Sequence, residues 1–466
     1  MGDNQTSQLL GKNSEIIDLK GKTVLPGFVD SHVHLVMSAI KNQEVDFSNI
    51  NSSGELLAKI EKEALKDHRQ VIYGWGLDPS RFGETIPVLS ELDEVTKGKT
   101  ILINRIDGHS ALTNSKGLEM LGMKDNNSSV LIREQYNRAV SAFYNSLTRD
   151  DIEKALKLFS QEVVKQGVTF VHALEGGFTS PTLAVNTLIK IKNTLPMRVT
   201  LYYQTLNIRE VLQLGLKRIG GCLLIDGSFG SHTARLKEPY SDLPQQRGVL
   251  YFDPKRLEGF IIEAHSMNLQ IAMHAIGDEA IDELIRAYSR AIKKSPRRNL
   301  RHRIEHFELP KKEHIEHARQ LGLVLSMQPV FEYYWGGRGK MYEKRLGNRM
   351  DKTNPLKSII KKGITIAGGS DSFVTPINPI LGIYSAVNHP NENEKITVRE
   401  AVNMFTINGW YAAGADRKGG SLEVGKVGDL VVLNEDPFKI NPQEILSLKP
   451  LMTVTRGKVV YSSGDI

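Results

Sequence analysis

Gly27-Phe-Val-Asp-Ser-His-Val-His34 is the stretch from which the fold is read. It begins as a short apolar strand and ends in two histidines one residue apart. In an extended chain residues i and i+2 point to the same side, so His32 and His34 can bring two imidazoles to one metal. Such a pair also arises by chance. Its meaning depends on what the rest of the chain places beside it.

Working outward, seven more short segments, many rich in β-branched residues, alternate with amphipathic stretches: Thr169–His172, Arg198–Tyr202, Cys222–Asp226, Gln270–His274, His302–Glu305, Leu323–Met327 and Thr365–Gly368. Between Thr148 and Gly167, Ile152, Leu156, Phe159 and Val163 make one apolar stripe. Thr148 and Asp151 are a plausible capping pair there, and Gly167 is the stop. Eight strands separated by helices over about 340 residues predict an α/β protein with a (β/α)8 TIM barrel, a fold of usually ~250 residues, provided one connection carries an insertion. That insertion lies at about 51–148, with a strand-like Thr100–Asn104 and a helix-like Asn114–Leu121. Barrel active sites lie where strands meet their following loops, so an insertion after the first strand is expected to cover the site as a lid or wall.

The ends differ from the middle. Glu15–Leu19 before the barrel, and Asp429–Leu433, Leu451–Thr455 and Lys458–Tyr461 after it, are short strands separated by Gly-rich turns. They predict a small β-domain built from both termini, 1–24 with 415–466, around a barrel over 25–414.

The chain has 466 residues, 40% of them apolar, enough for a large core. No apolar run reaches the roughly 18–20 residues of a membrane span, and the start lacks the pattern of a signal peptide. The net charge of +7 would suit an anionic partner, but the lysines lie in short clusters mixed with acids and no nucleic-acid motif accompanies them. The expectation is a cytoplasmic protein acting on a small molecule, with neither nucleic acid nor membrane as partner and a homodimer as its assembly. The single cysteine, Cys222, cannot form an internal disulfide, which agrees with a reducing compartment.

His274 ends another predicted strand, His306 follows His302-Arg-Ile-Glu305, and Asp371 follows Ala367-Gly-Gly-Ser370. Core packing or helix capping explains any one of these. It does not require polar residues at the same rim on strands one, five, six and eight. Neutral imidazoles hold a borderline cation such as Zn²⁺ while leaving a position for water, whose pKa falls from about 15.7 toward ~7. Asp371 beside it can orient that water, accept its proton and pass it to a leaving group.

At this point the residues resemble a known family. Leu25-Pro-Gly-Phe-Val-Asp-Ser-His-Val-His34, Met273-His-Ala-Ile-Gly-Asp278, Arg303-Ile-Glu-His306, Gly369-Ser-Asp371 and Gly419-Gly-Ser-Leu-Glu-Val-Gly-Lys-Val-Gly-Asp-Leu430 look like the amidohydrolase superfamily, in the branch containing N-substituted formamide deformylase. Gly74-Trp-Gly-Leu-Asp78, Asp107-Gly-His109, Asp226-Gly-Ser-Phe-Gly-Ser231 and Ser326-Met-Gln-Pro329 are similar to further segments of that branch. The resemblance implies a barrel with a composite β-sandwich and metal ligation by His32, His34, His274 and His306. It implies Asp371 as ligand and proton shuttle, with one or two divalent ions and zinc as the favoured metal.

Two departures stand out. Where the branch carries Lys-x-x-x-Asp-Gly, with a lysine that can be carboxylated and bridge two metals, this chain reads Cys222-Leu-Leu-Ile-Asp226-Gly227. No carbamate can form there. Cys222 is either a substitute ligand, as in related D-aminoacylases, or a small buried apolar residue. The family also has two or more strands before the segment corresponding to Glu15, whereas this chain begins almost there; a reduced sandwich or a misplaced start would account for it.

For substrate contact the candidates are Gln328, Asp226 and Ser228, which follow barrel strands, and His109 and Trp75 in the insertion, with Asp78 and Arg81 nearby. His172 and Glu175, after the second strand, are candidates for supporting the site, whereas His68, His265, His314, His317 and His389 lie on presumed helices or outer loops and are expected to be solvated. The resulting expectation is a metal-dependent hydrolase of a carbon–nitrogen bond in an amide, formamide or cyclic amide. A deaminase, an ester hydrolase and a non-catalytic binding protein are its alternatives.

Overall fold

The computed structural model describes residues 11, 16–66, 71–83, 85–105, 110–124, 126–177, 180–296 and 300–465. The chain divides into two compact units, one of residues 1–38 and 156–466, the other of residues 39–155.

In the first unit eight parallel strands form a nearly closed barrel with helices between them: β1 (Phe28–Val33), β2 (Val168–Glu175), β3 (Arg198–Tyr203), β4 (Arg218–Ile219), β5 (Gln270–Ala275), β6 (Arg303–His306), β7 (Val324–Met327) and β8 (Ile366–Gly368). The chain is an α/β protein with a TIM barrel and additional β-structure. All eight residues of β2 are buried, as expected of a strand covered on both faces. The outer helices follow the 3.6-residue period. In Asp278–Lys294, Ile281, Leu284, Ile285, Tyr288 and Ala291 are buried, a stripe that packs inward while the charged face meets water. The ring closes between β8 and β1, where the Asp371 N–H donates to His32 O at 2.8 Å and the His34 N–H to Ser372 O at 2.7 Å.

The fourth strand differs from the sequence expectation. Regular pairing ends at Ile219, and Cys222–Asp226 returns only as a single bridge from Leu224 to His274. Gly220 and Gly221, at φ +92° and +59°, turn the chain out of line between them. A Cβ at Gly220 would lie 2.2 Å from Ala272 O, so only glycine permits this approach.

The termini meet in one four-stranded antiparallel sheet of Thr23–Pro26, Leu430–Leu433, Pro450–Thr455 and Lys458–Ser462. Residues 16–19 carry no regular structure, and Glu15 lies outside the described residues. Its first strand leads directly into β1, with the Gly27 N–H bonded to Asp429 O at 3.0 Å.

The second unit holds a five-stranded sheet of Val45–Asp46, Val71–Leu77, Thr100–Arg105, Ser110–Thr113 and Val130–Ile132. Phe47, Leu56, Ile60, Ile72, Leu92, Ile101 and Ile103 form its core. The helix Ser115–Met120 begins where Asn114 accepts the Gly117 N–H at 3.1 Å. No described helix is long and apolar enough to cross a membrane.

Candidate metal centre

The carboxyl ends of β1, β5, β6 and β8 converge, and they carry the histidines and aspartate singled out in the sequence. Asp371 Oδ1 lies 3.2 Å from His32 Nε2 and 3.3 Å from His34 Nε2. Gly369 makes this closeness possible, since a Cβ there would sit 2.8 Å from His32 N. The rings of His274 and His306 have centroids 4.4 Å apart, and those of His306 and His32 are 4.8 Å apart. Between them sits Cys222, its Sγ 3.7 Å from both His274 Nδ1 and His306 Nε2. Two buried triads, His32/His34/Asp371 and His32/Cys222/His306, have potential ligand atoms within 4.8 Å of one another.

Each of the four histidines has one ring nitrogen tied to an acceptor. His32 Nδ1 donates to Glu305 Oε2 at 2.8 Å, His34 Nδ1 to Leu174 O at 2.9 Å, His306 Nδ1 to Gln328 Oε1 at 2.7 Å and His274 Nε2 to Gly227 O at 3.0 Å. These acceptors assign the tautomers and leave the second nitrogens with lone pairs toward the centre, the arrangement a metal-binding imidazole requires. Glu305 is itself gripped by Arg303 through two bonds of 2.7 Å, and Arg303 also donates to Ser31 O at 2.7 Å and to His172 Nδ1 at 2.8 Å. Burial, reinforced by the charge of Arg303, pushes His172 well below the usual histidine range, so it accepts from Arg303 as a neutral ring. Glu175 accepts the Val36 N–H at 3.0 Å and so braces the turn after His34.

The electrostatics of the centre favour a cation. Burial pushes the Asp371 carboxyl and the Cys222 thiol upward, but the surrounding histidines outweigh it and hold both well below their ordinary values. Burial acts against charge on His34 and His274 too, yet Asp371 and Cys222 lift His34 to about 10, and Cys222 and Asp226 lift His274 to about 9, so a metal ion would take the place of the second ring proton. His306 is shifted down by burial and by the positive His274. His32 Nε2 and Asp371 Oδ1 are buried without a hydrogen-bond partner although they face each other. Leaving such atoms unmatched costs on the order of 1–3 kcal/mol each. A divalent ion among these donors would satisfy both atoms, so the donor set fits one.

A cavity of about 440 Å³ opens from the centre and is walled by His34, Cys222, His274, His306 and Asp371 on one side and largely by apolar side chains on the other. Of the expected substrate contacts, Ser228 lines it. Asp226 does not: its carboxylate accepts the N–H groups of Ile276, Gly277 and Arg235 at 3.0, 2.8 and 2.7 Å, which anchors the loop after β5 beneath His274. Gln328 is likewise engaged by His306 and stands behind the ring, outside the cavity wall. In the second unit Trp75 is 46% exposed, and Asp78 accepts the Ser80 N–H as a local cap with Arg81 3.9 Å away. His109 and His68 lie outside the described residues. His317 is exposed as expected, but His265, His314 and His389 are buried because the helices and loops that carry them turn these rings inward.

Sequence reasoning missed Glu308, which lines the cavity two residues past His306 and is pushed up to about 8 by burial. It also missed Arg303 and Glu305 as the support of His32. The available signal was a short strand, Arg303-Ile-Glu-His306, with charged residues at alternate positions of a segment otherwise patterned for burial.

Comparison with known proteins bears on the same features. Residues 15–461 match the model of the amidohydrolase family. YtcJ of Bacillus subtilis (strain 168), assigned by name to the amidohydrolases, is 30% identical over 96% of this chain and 90% of its own. The N-substituted formamide deformylase of Arthrobacter pascens is 23% identical over 96% and 90%. The crystal structure of an uncharacterized metal-dependent hydrolase from Pyrococcus furiosus superposes with a TM-score of 0.79 at 26% identity, over 93% of this chain and 92% of that one. With a family match across nearly its whole length and a barrel whose strand ends gather these donors, the chain belongs to the amidohydrolase family and is a hydrolase.

Proposed function

We propose that this chain is a metal-dependent hydrolase of a carbon–nitrogen bond in an amide, formamide or cyclic amide. The observation that carries the reading is the pair of unpartnered buried atoms, His32 Nε2 and Asp371 Oδ1, among histidines whose outer nitrogens are all engaged. His32, His34 and Asp371 would hold one divalent ion, and Cys222, His274 and His306 offer donors for a second; the mixed N, O and S set favours zinc. When bound, such an ion supplies Lewis acidity, lowering the pKa of water from about 15.7 toward ~7 and polarising a carbonyl.

The protein's own residues do the rest. The cavity orients the scissile group against the carboxyl ends of the strands, and its apolar wall excludes bulk water. Asp371 accepts the proton of the attacking water and returns it to the departing nitrogen, which its position beside two imidazoles suits because they keep it ionised. Glu305 holds His32 in register, and Arg303 holds Glu305. The proposed setting is the cytoplasm, where the Cys222 thiol stays reduced.

The test strips the protein with a chelator and restores zinc, manganese, cobalt or iron before assaying amides, formamides, lactams, esters and amino-substituted heterocycles. Turnover of a carbon–nitrogen acyl substrate that returns with metal is expected. Equal inactivity of stripped and loaded protein across the panel would remove the metal-dependent carbon–nitrogen reading, and turnover confined to esters or to ring deamination would replace the bond assigned.

A further inference from the structure

The cavity beside the centre has an uneven chemistry. Phe229, Phe331, Trp335, Met341 and Phe373 make most of its far wall, and no Lys or Arg is among the described residues that line it. One acid lies within that wall, Glu308, only 2% exposed. A carboxyl in apolar surroundings is costly unless its oxygens are matched. Tyr342, itself buried in the wall, donates to Glu308 Oε2. Among the described residues no side chain bonds the other oxygen, which is left to the cavity.

The backbone holds this acid in place. His306 and Phe307 are successive left-handed residues, at φ +71° and +51°, each costing on the order of 1–2 kcal/mol. The segment is pinned by the Phe307 N–H to Ala275 O at 3.1 Å, the Leu309 N–H to Ile276 O at 3.1 Å and the Asn354 N–H to Glu308 O at 2.7 Å. One double turn therefore sets both the His306 ring at the centre and the Glu308 carboxyl in the cavity. Tyr342 is fixed in turn by an edge-on contact with Phe229, centroids 5.4 Å apart.

We propose that Glu308, positioned by Tyr342, determines specificity at the end of the substrate remote from the bond that is cut. The cavity selects an apolar, ring-sized compound carrying an N–H, O–H or ammonium donor that meets the free oxygen of Glu308, and it discriminates against compounds with a carboxylate at that end, for which the described lining residues provide no cationic side chain. A volume of about 440 Å³ suits a small ligand of this kind, since such pockets run from roughly 300 to 1,000 Å³. The substrate class rests on the hydrolase reading above, whereas the preference at Glu308 is a property of binding.

The experiment separates the two. A set of benzyl amides with para aminomethyl, hydroxymethyl, methyl or carboxylate groups is assayed for kcat/KM on zinc-loaded protein. Matched ketones, in which a methylene replaces the amide nitrogen, are titrated by calorimetry on the same protein. The aminomethyl and hydroxymethyl members are expected to exceed the methyl and carboxylate members by about tenfold or more. Glu308→Leu should flatten that ratio, Glu308→Gln should retain the hydroxymethyl preference while weakening the aminomethyl one, and Tyr342→Phe should reduce both. Glu308→Gln, close in shape, keeps the test available should the leucine variant fail to fold. A carboxylate member bound as tightly as the aminomethyl one, or a preference unchanged in both Glu308 variants, overturns the proposal. Ketones that bind in the expected order with no amide turned over would instead sink the amide-bond reading and leave Glu308 standing.

Discussion

The barrel holds two groups of buried histidines, one at each end of β6, and they are in opposite chemical states. At the amino end His302 Nδ1 accepts the Ile271 N–H at 3.1 Å, its Nε2–H donates to His265 Nδ1 at 2.8 Å, and His265 Nε2–H donates to Ser295 O at 2.7 Å. Every ring nitrogen is used, and Tyr288 lies flat on His302 with centroids 5.2 Å apart. At the carboxyl end, His32, His34, His274 and His306 use one nitrogen each on an acceptor and turn the other toward Asp371 or Cys222. Burial is the same in both groups, so burial does not identify a ligand. What marks a site is a nitrogen left without an acceptor or donor of its own beside another group in the same condition.

The comparison breaks most visibly if the carboxyl-end rings can be lost without consequence. His34→Ala and His306→Ala are each expected to abolish stoichiometric metal and lower turnover on the order of 10³-fold or more, read by elemental analysis and steady-state rates. Either variant retaining full metal and rate would return these rings to the structural class. Cys222 is next in size. Cys222→Ala should weaken metal binding by roughly 10–100-fold, as losing a contributor to the site does, in a competition titration with a fluorescent chelator. An unchanged affinity with only the loss of about 1 kcal/mol expected for a small buried group would make Cys222 a packing residue, consistent with its contact with Leu174, Tyr202 and Ala272.

The smallest effect belongs to the amino-end pair. His302→Phe keeps a ring against Tyr288 but strands the Ile271 N–H and His265 Nδ1, and should cost about 2–4 kcal/mol in urea unfolding while leaving metal content unaltered. Its pH dependence carries a sign. Burial, then the neighbouring His265, lowers His302 from 6.5 to about 3. The folded state therefore keeps it neutral while the unfolded state takes up a proton below about 6.5. Stability from this neutral ring is complete above about 6.5 and is lost as pH falls toward 3, by roughly 1.4 kcal/mol per unit. The phenylalanine variant should show a shallower acid decline over that window, and equal slopes would refute the assignment.

Much of the fold is legible in the amino-acid sequence. The strand starting at Gly27, the insertion strand at Thr100 and the helix after Thr148 follow from apolar period and capping, which are local properties. The Thr148–Asp151 box is present, with the Asp151 N–H 3.2 Å from Thr148 Oγ1. The fourth strand departs from expectation because Cys222-Leu-Leu-Ile has the composition of a strand, while the two glycines that redirect it act through closeness to neighbouring strands, Gly220 to β5 and Gly221 to the end of β3. Asp226 stands apart from the cavity for a related reason: its three N–H donors come from residues 9, 50 and 51 positions away.

The sequence by itself determined which strand ends carry donors, because in a parallel barrel the polar residue after an apolar strand falls on one rim whatever the rest of the chain does. The tertiary structure alone decided which nitrogen of each ring faces inward, since that is set by acceptors such as Glu305, 273 residues from His32. It also decided that Cys222 stands between His274 and His306 and that Glu308 faces the cavity. These depend on turns at Gly220 and His306 whose geometry is fixed by neighbouring strands, and no local pattern records them.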